Sequence, residues 1–169
     1  MRRTLPFALA AALLLAAAAQ ARVVSIPAAF SAVVPQVKRR AHIAVRLPAR
    51  ADVDTDTTQL FATGSGRRGR YDLELAASSR CHGANACFIA AFTARRARAL
   101  GERANVRLAR GLRGAYRPLS CGASCSPPSI AWVQGGVRYD VQIRIAATRS
   151  RERAAMIALA NSAIRSRPR

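Results

Sequence analysis

The 169 residues of this chain suit one domain, and an apolar fraction of 51% with only 5% aromatic residues predicts a small core of Ala, Val, Ile and Leu. The formal net charge of +20 is carried almost entirely by arginine, since Lys38 is the only lysine. Past the N-terminal segment no apolar run approaches the ~20 residues of a membrane-spanning helix, which excludes a later transmembrane segment.

Residues 1–21 have the pattern of a signal peptide. Arg2 and Arg3 precede an uncharged apolar stretch, and Ala19-Gln20-Ala21 offers the small residues that a signal peptidase reads. A retained N-terminal membrane helix is the alternative. The cleavage site contains no cysteine, so a lipid anchor is not predicted. We therefore expect an exported protein, periplasmic or extracellular, with a single mature domain over residues 22–169 that ends in a basic tail of Arg165, Arg167 and Arg169.

A short helix is predicted over residues 28–40, kinked or restarted at Pro35. Its apolar residues recur at helical spacing: Phe30, Val33, Val34 and Val37. Residues 42–47 then alternate apolar and polar side chains, which predicts a strand closed by Pro48.

Residues 52–56 place carboxylates at alternate positions, as in the first half of a calcium-binding loop. The rest of that loop is missing, because Thr57 and Thr63 stand where it needs Gly and a bidentate Glu. Solvated loop acids are the better interpretation, and no metal site is predicted.

Residues 64–69 read G-x-G-x-x-G, the pattern of a dinucleotide-binding turn. That turn must open a helix, whereas residues 71–77 alternate as a strand does. We therefore predict a hairpin loop between strands 59–63 and 71–77, and no cofactor. A phosphate-binding role for Arg67, Arg68 and Arg70 is the weaker alternative, since no helix N-terminus is expected there.

Four cysteines in an exported chain favour two disulfides. We favour Cys81–Cys87 and Cys121–Cys125, because each pair brackets a turn-rich loop. A zinc site with His82 is the alternative, but the spacing departs from that of zinc fingers. The first pair separates strand 71–77 from a predicted strand at residues 88–93, and the second follows two further predicted strands at residues 104–109 and 114–117.

Residues 129–146 give the clearest structural signal, a β-hairpin turning at Gly135-Gly136. One face is apolar, and alternation puts Trp132 on it with Ile130, Tyr139 and Val141. A final helix follows Thr148, with Ser150 as the predicted cap and Glu152 in its first turn. Its predicted apolar stripe is Met156, Ile157, Ala160, Ala163 and Ile164.

These residues carry a resemblance to a known group. The hairpin with Trp132 and Tyr139, the final helix and the paired cysteine loops resemble uncharacterised secreted bacterial α+β domains, including C-terminal domains of some anti-sigma factors. The resemblance implies an envelope domain of unknown activity and supplies no catalytic residue.

The predicted fold is α+β, a single antiparallel sheet of about six to eight strands backed by an N-terminal and a C-terminal helix. His42 and His82 are the only histidines, and neither belongs to a recognisable nucleophile motif, so an enzyme is the minority hypothesis. The favoured function is a non-catalytic envelope domain.

A second hypothesis is a binder of anionic polymers such as lipopolysaccharide or a wall polymer, with nucleic acid less favoured. Its candidate residues are Arg138, Arg144, Arg107, Arg67 and Arg68. We expect Arg138 and Arg144 to lie side by side on the polar face of the hairpin. A hydrolase with an unrecognised site is the third hypothesis, and arginines clustered on one face would favour the second.

Overall fold

The fold is built on a seven-stranded antiparallel sheet, seen in a computed structural model that describes residues 21–81 and 84–169. In chain order the strands are β1 (Ala21–Ser25), β2 (Arg50–Asp54), β3 (Phe61–Arg67), β4 (Arg70–Ala76), β5 (Phe88–Arg96), β6 (Val106–Arg107), β7 (Arg113–Arg117), β8 (Ser120–Cys121), β9 (Cys125–Ser126), β10 (Ser129–Gln134) and β11 (Val137–Ile143). The helices are α1 (Ile26–Ala29), α2 (Val34–Ala41) and α3 (Arg149–Arg165). The α+β prediction is confirmed.

The large sheet has the strand order β3-β4-β5-β11-β10-β7-β6, while β1 with β2 and β8 with β9 form separate pairs. The central contact is therefore between β5 and β11, which are far apart in the sequence. The signal-peptide prediction for residues 1–21 falls outside the described residues, apart from Ala21, which begins β1. Among the helices of the described residues, none is long and apolar enough to span a membrane.

The predicted hairpin is β10 and β11. Gly135 and Gly136 have φ angles of 59° and 73°, the left-handed values that a two-residue type I′ turn needs. Trp132 lies opposite Tyr139, and their rings stack with centroids 5.5 Å apart. Trp132 is completely buried, so this hairpin contributes the aromatic centre of the core.

Helix α2 packs on β3, at the edge strand of the sheet and on the same core face as the buried Trp132. A Cβ atom at Gly64 would lie 2.5 Å from Val33 Cγ1, and one at Gly66 would lie 2.8 Å from the backbone oxygen of Val37. Two glycines of the G-x-G-x-x-G sequence thus allow a helix to approach the strand closely. The third, Gly69, has a φ of 80° and turns the chain.

Helix α3 covers the hairpin side of the core. Its buried residues are Glu152, Met156, Leu159, Ala160, Ala163 and Ile164. The predicted apolar stripe agrees with these buried residues except at two positions. Leu159 is buried although it was not predicted, and Ile157 is only partly buried. Thr148 rather than Ser150 is the N-cap, and no side-chain capping bond forms.

Several predicted element boundaries are wrong. Residues 42–47 alternate in burial but lie outside any strand. The acids of residues 52–54 belong to β2 rather than to a loop. Strand β3 continues through most of the predicted hairpin loop, to Arg67. In the 104–109 stretch only Val106 and Arg107 form a strand.

The structure pairs Cys81 with Cys87 and Cys121 with Cys125, as the loop spacing favours. The first disulfide closes the connection from β4 to β5, and the second joins β8 to β9 between β7 and β10. Because these strands are antiparallel, both disulfide loops lie at one end of the large sheet, which we call the disulfide end. The β3–β4 and β10–β11 turns lie at the opposite end.

Candidate anion-binding surface

The strand register aligns arginines from neighbouring strands at the end of the sheet opposite the disulfide loops. Arg67 lies opposite Arg70, Arg70 opposite Arg95, and Arg95 opposite Arg138. Directly opposite residues of antiparallel strands project to the same face of the sheet. Four adjacent strands thus present arginines to one face.

The alignment continues to the far edge. Val133 lies opposite Arg138, and Arg113 lies opposite Arg107 on the last two strands. Because Gly114 is opposite Trp132, Arg113 is level with Val133. The members of this arginine row are Arg67, Arg70, Arg95, Arg138, Arg113 and Arg107. At about 4.8 Å per strand, the row extends roughly 29 Å across seven strands.

The row lies on the face of the sheet that points away from the core. The next residues along three of its strands, Tyr71, Ala94 and Tyr139, are aligned with one another and buried. The Tyr139 hydroxyl donates to the carbonyl of Ala44, 3.1 Å away. Burial raises the pKa of Tyr71 and of Tyr139, so both phenols stay neutral beneath the row.

Arg138 is the one member of the row that is buried. Its guanidinium donates to Asp140, to the carbonyl of Leu100 and to Glu102, whose Oε1 lies 2.6 Å from Nη2. Hydrogen bonding and charge from Asp140, and then from Glu102, raise the pKa of Arg138 further above its already high value. Its donors are therefore already used within the protein.

These contacts show the route of the chain from β5 to β6. That connection must pass β11, β10 and β7, and Arg138 holds it against the outer face through Leu100 and Glu102. Glu102 also pairs with Arg117 at 2.7 Å. The crossing segment therefore divides the exposed part of the row into two groups.

Arg70 forms two hydrogen bonds of 2.9 Å with Asp72, which raise its pKa. Both side chains are about half exposed, so water screens the pair and it contributes little to stability. Within the part of the chain that the structure describes, Arg67, Arg95, Arg107 and Arg113 form no ion pair. They are the free cations of the row.

Further exposed cations surround the β3–β4 turn. The backbone N–H of Gly69 donates to Ala41 at the end of α2, and that of Arg96 donates to Gly69. This junction brings Arg68 and Arg96 next to the basic last turn of α2. The anion-binding prediction included Arg67 and Arg68 but missed Arg95 and Arg113, since strand order cannot be read from one sequence.

Arg144 does not join this surface. It lies just past β11, six residues from Arg138 and at the disulfide end, about 20 Å away along the strand. The expectation that Arg138 and Arg144 lie side by side is therefore wrong. Alternation correctly gives them the same face but says nothing about their separation.

Of the two candidate imidazoles, the structure describes only that of His42. His42 is exposed, has a φ of 51° and terminates α2, while His82 falls outside the described residues. Within residues 21–81 and 84–169 no group of three or more His, Cys, Asp or Glu side chains is placed to hold a metal ion.

Comparison with known family models, curated proteins and solved structures finds no match to this chain.

Proposed function

We propose that this protein is an exported, disulfide-stabilised domain without catalytic activity that binds linear anionic polymers through the arginine row. The observation that carries the proposal is the alignment of Arg67, Arg70 and Arg95 on adjacent strands, with Arg113 and Arg107 continuing it at the far edge. The exposed arginines form two groups, Arg67, Arg70 and Arg95 on one side of the crossing segment and Arg113 and Arg107 on the other, and several such cations match a polymer with repeated charges better than a single small anion.

The chemistry of the row favours phosphate or carboxylate groups. A guanidinium offers a planar fork of donors that matches either group and stays charged at any physiological pH. No aromatic side chain belongs to the row, so it lacks the stacking platform that proteins use to bind single-stranded bases. Phosphate-rich or carboxylate-rich envelope polymers are therefore the proposed partners.

Export is supported by the two disulfides and by the basic, apolar and small-residue pattern of residues 1–21. Disulfides persist in the periplasm and outside the cell, where envelope polymers are also found. We also propose, from the sequence resemblance alone, kinship with the uncharacterised secreted bacterial α+β domains.

The test is a titration with two chemically defined probes, inorganic polyphosphate and heparin, at several salt concentrations. The Arg67→Gln/Arg95→Gln double variant removes the two free cations on either side of Arg70. Each lost phosphate contact should reduce the slope of log K against log salt by about one unit, so we expect a loss of about two units and at least tenfold weaker binding.

The matched control is Arg165→Gln/Arg167→Gln, which removes the same charge from exposed residues at and beyond the end of α3. Its affinity and salt slope should stay close to those of the unchanged protein. Equal losses in the two double variants would show that net charge alone attracts the polymer, and the site proposal would be abandoned.

A further inference from the structure

A cleft of about 490 Å³ opens at the disulfide end of the sheet, away from the arginine row. Its walls come from Asn85 and Ala86 in the first disulfide loop, from Cys125 at the end of the second, from Pro127 and Pro128 just after it, and from the first turn of α3. Each loop is closed by its own disulfide, which limits the ways in which these walls can move. The volume lies within the range of about 300–1,000 Å³ found for small-molecule sites.

Four charged residues, two of each sign, face this cleft. Arg144 and Arg149 bring positive charge, while Asp54 and Glu152 bring negative charge. Among the described residues, no two of these four approach within the 4.0 Å of an ion pair. Opposite charges that share a cleft without pairing leave both signs available to a bound molecule.

Glu152 is held in place by the protein. It is only 5% exposed, and its Oε1 accepts hydrogen bonds from the Tyr116 hydroxyl and, at 3.1 Å, from the backbone N–H of Leu119. Burial and the bond to Glu152 raise the pKa of Tyr116 to about 12, so the phenol remains the donor at neutral pH. A buried carboxylate fixed at a cleft wall is a strong determinant of ligand charge.

Most of the remaining lining is apolar. It includes Leu119, Ile145, Pro127 and Pro128, and Asn85 adds one uncharged polar side chain. The two carboxylates would repel a purely anionic ligand, and the two arginines would repel a purely cationic one. A ligand with an apolar body and one charge of each sign satisfies every part of the lining.

We infer that this cleft binds a short peptide with free termini and an apolar side chain. The peptide carboxylate pairs with Arg144 and Arg149, the ammonium group faces Asp54 and Glu152, and the side chain contacts Leu119 and Ile145. This site is separate from the arginine row, so each proposal stands or fails alone.

The test is calorimetric titration of the oxidised protein with the tripeptide Ala-Leu-Ala in three forms: free, N-acetylated and C-amidated. We expect the free tripeptide to bind and each blocked form to bind at least tenfold more weakly. In Arg144→Gln/Arg149→Gln the amidated and free peptides should bind equally. In Asp54→Asn the penalty for acetylation should shrink.

The control is Arg67→Gln/Arg95→Gln, which should preserve the full preference for the free tripeptide. Absence of binding at millimolar peptide, or equal binding of all three forms to the unchanged protein, overturns the inference. So does a control variant that loses the preference as completely as the cleft variants do. Circular dichroism of each variant verifies that the comparison is made between folded proteins.

Discussion

Arg138 shows how the same residue type acquires different roles within one row. Alternation along β11 predicts that Arg138 faces away from the core, and it does. Its burial could not be predicted, because that depends on Glu102 and Leu100, which are 36 and 38 residues away. A residue that looks like a surface cation in the sequence thus holds a chain crossing in place.

Trp132 illustrates the opposite case, in which alternation was sufficient. Its predicted neighbours Ile130, Tyr139 and Val141 are all buried with it. The position of a core residue could be predicted because the two-residue turn fixes the hairpin register. The alignment of the free arginines at the surface could not be predicted, because it depends on which strands become neighbours in the sheet.

We expect Trp132→Ala to lower the free energy of unfolding by about 3–5 kcal/mol, since it removes a fully buried ring and its stacking on Tyr139. Trp132→Phe should cost clearly less, because it keeps a ring and removes an indole N–H that has no hydrogen-bond partner among the described residues. Urea denaturation measures both. Unchanged stability in Trp132→Ala would show that the ring does not support the core.

At the scale of elements, long strands and the last helix could be predicted and short connections could not. Strands β4 and β11 alternate over most of their length, and α3 has a recognisable stripe. Residues 42–47 also alternate, yet they form no ladder because no strand lies beside them. Alternation reports burial on one side and does not supply a hydrogen-bonding partner.

The glycines of β3 give a test of how α2 is seated. A methyl group at Gly66 would lie 2.8 Å from the backbone oxygen of Val37, which cannot rotate away as a side chain could. Gly66→Ala should therefore destabilise the protein by about 1–3 kcal/mol. Thermal and urea denaturation measure the change.

Gly122→Ala is the matched control, because a Cβ there meets no atom within 4 Å. Its stability should change by no more than about 0.5 kcal/mol. If Gly66→Ala were as stable as this control, α2 would have room to shift on β3, and the close-packing explanation for the two glycines would be wrong.

At the scale of the whole molecule, a net charge of +20 acts on stability as well as on binding. Arg67, Arg70 and Arg95 are directly opposite one another on neighbouring strands, and like charges in that position repel. The fold keeps these cations together although separation would lower their energy. Such a conflict between stability and surface chemistry is common at binding sites.

Screening should relieve this repulsion. Raising sodium chloride from about 0.01 to 0.1 M shortens the Debye length from roughly 30 to 10 Å, so we expect the melting temperature to rise. Arg95→Gln, which removes the unpaired cation opposite Arg70, should be more stable than the unchanged protein at low salt and should gain less from added salt. A melting temperature that falls as salt increases would contradict this account.

The contact between β5 and β11 also has a consequence for the order of folding. Strands β3, β4 and β5 are close in sequence and can pair early, whereas β11 enters more than 40 residues later and completes the sheet. Until then, the edge of β5 exposes unpaired backbone groups to any other extended chain. A nascent chain that emerges N-terminus first therefore passes through a stage in which the β5 edge can pair with another extended chain, and that stage ends only when β11, up to residue 143, has been made.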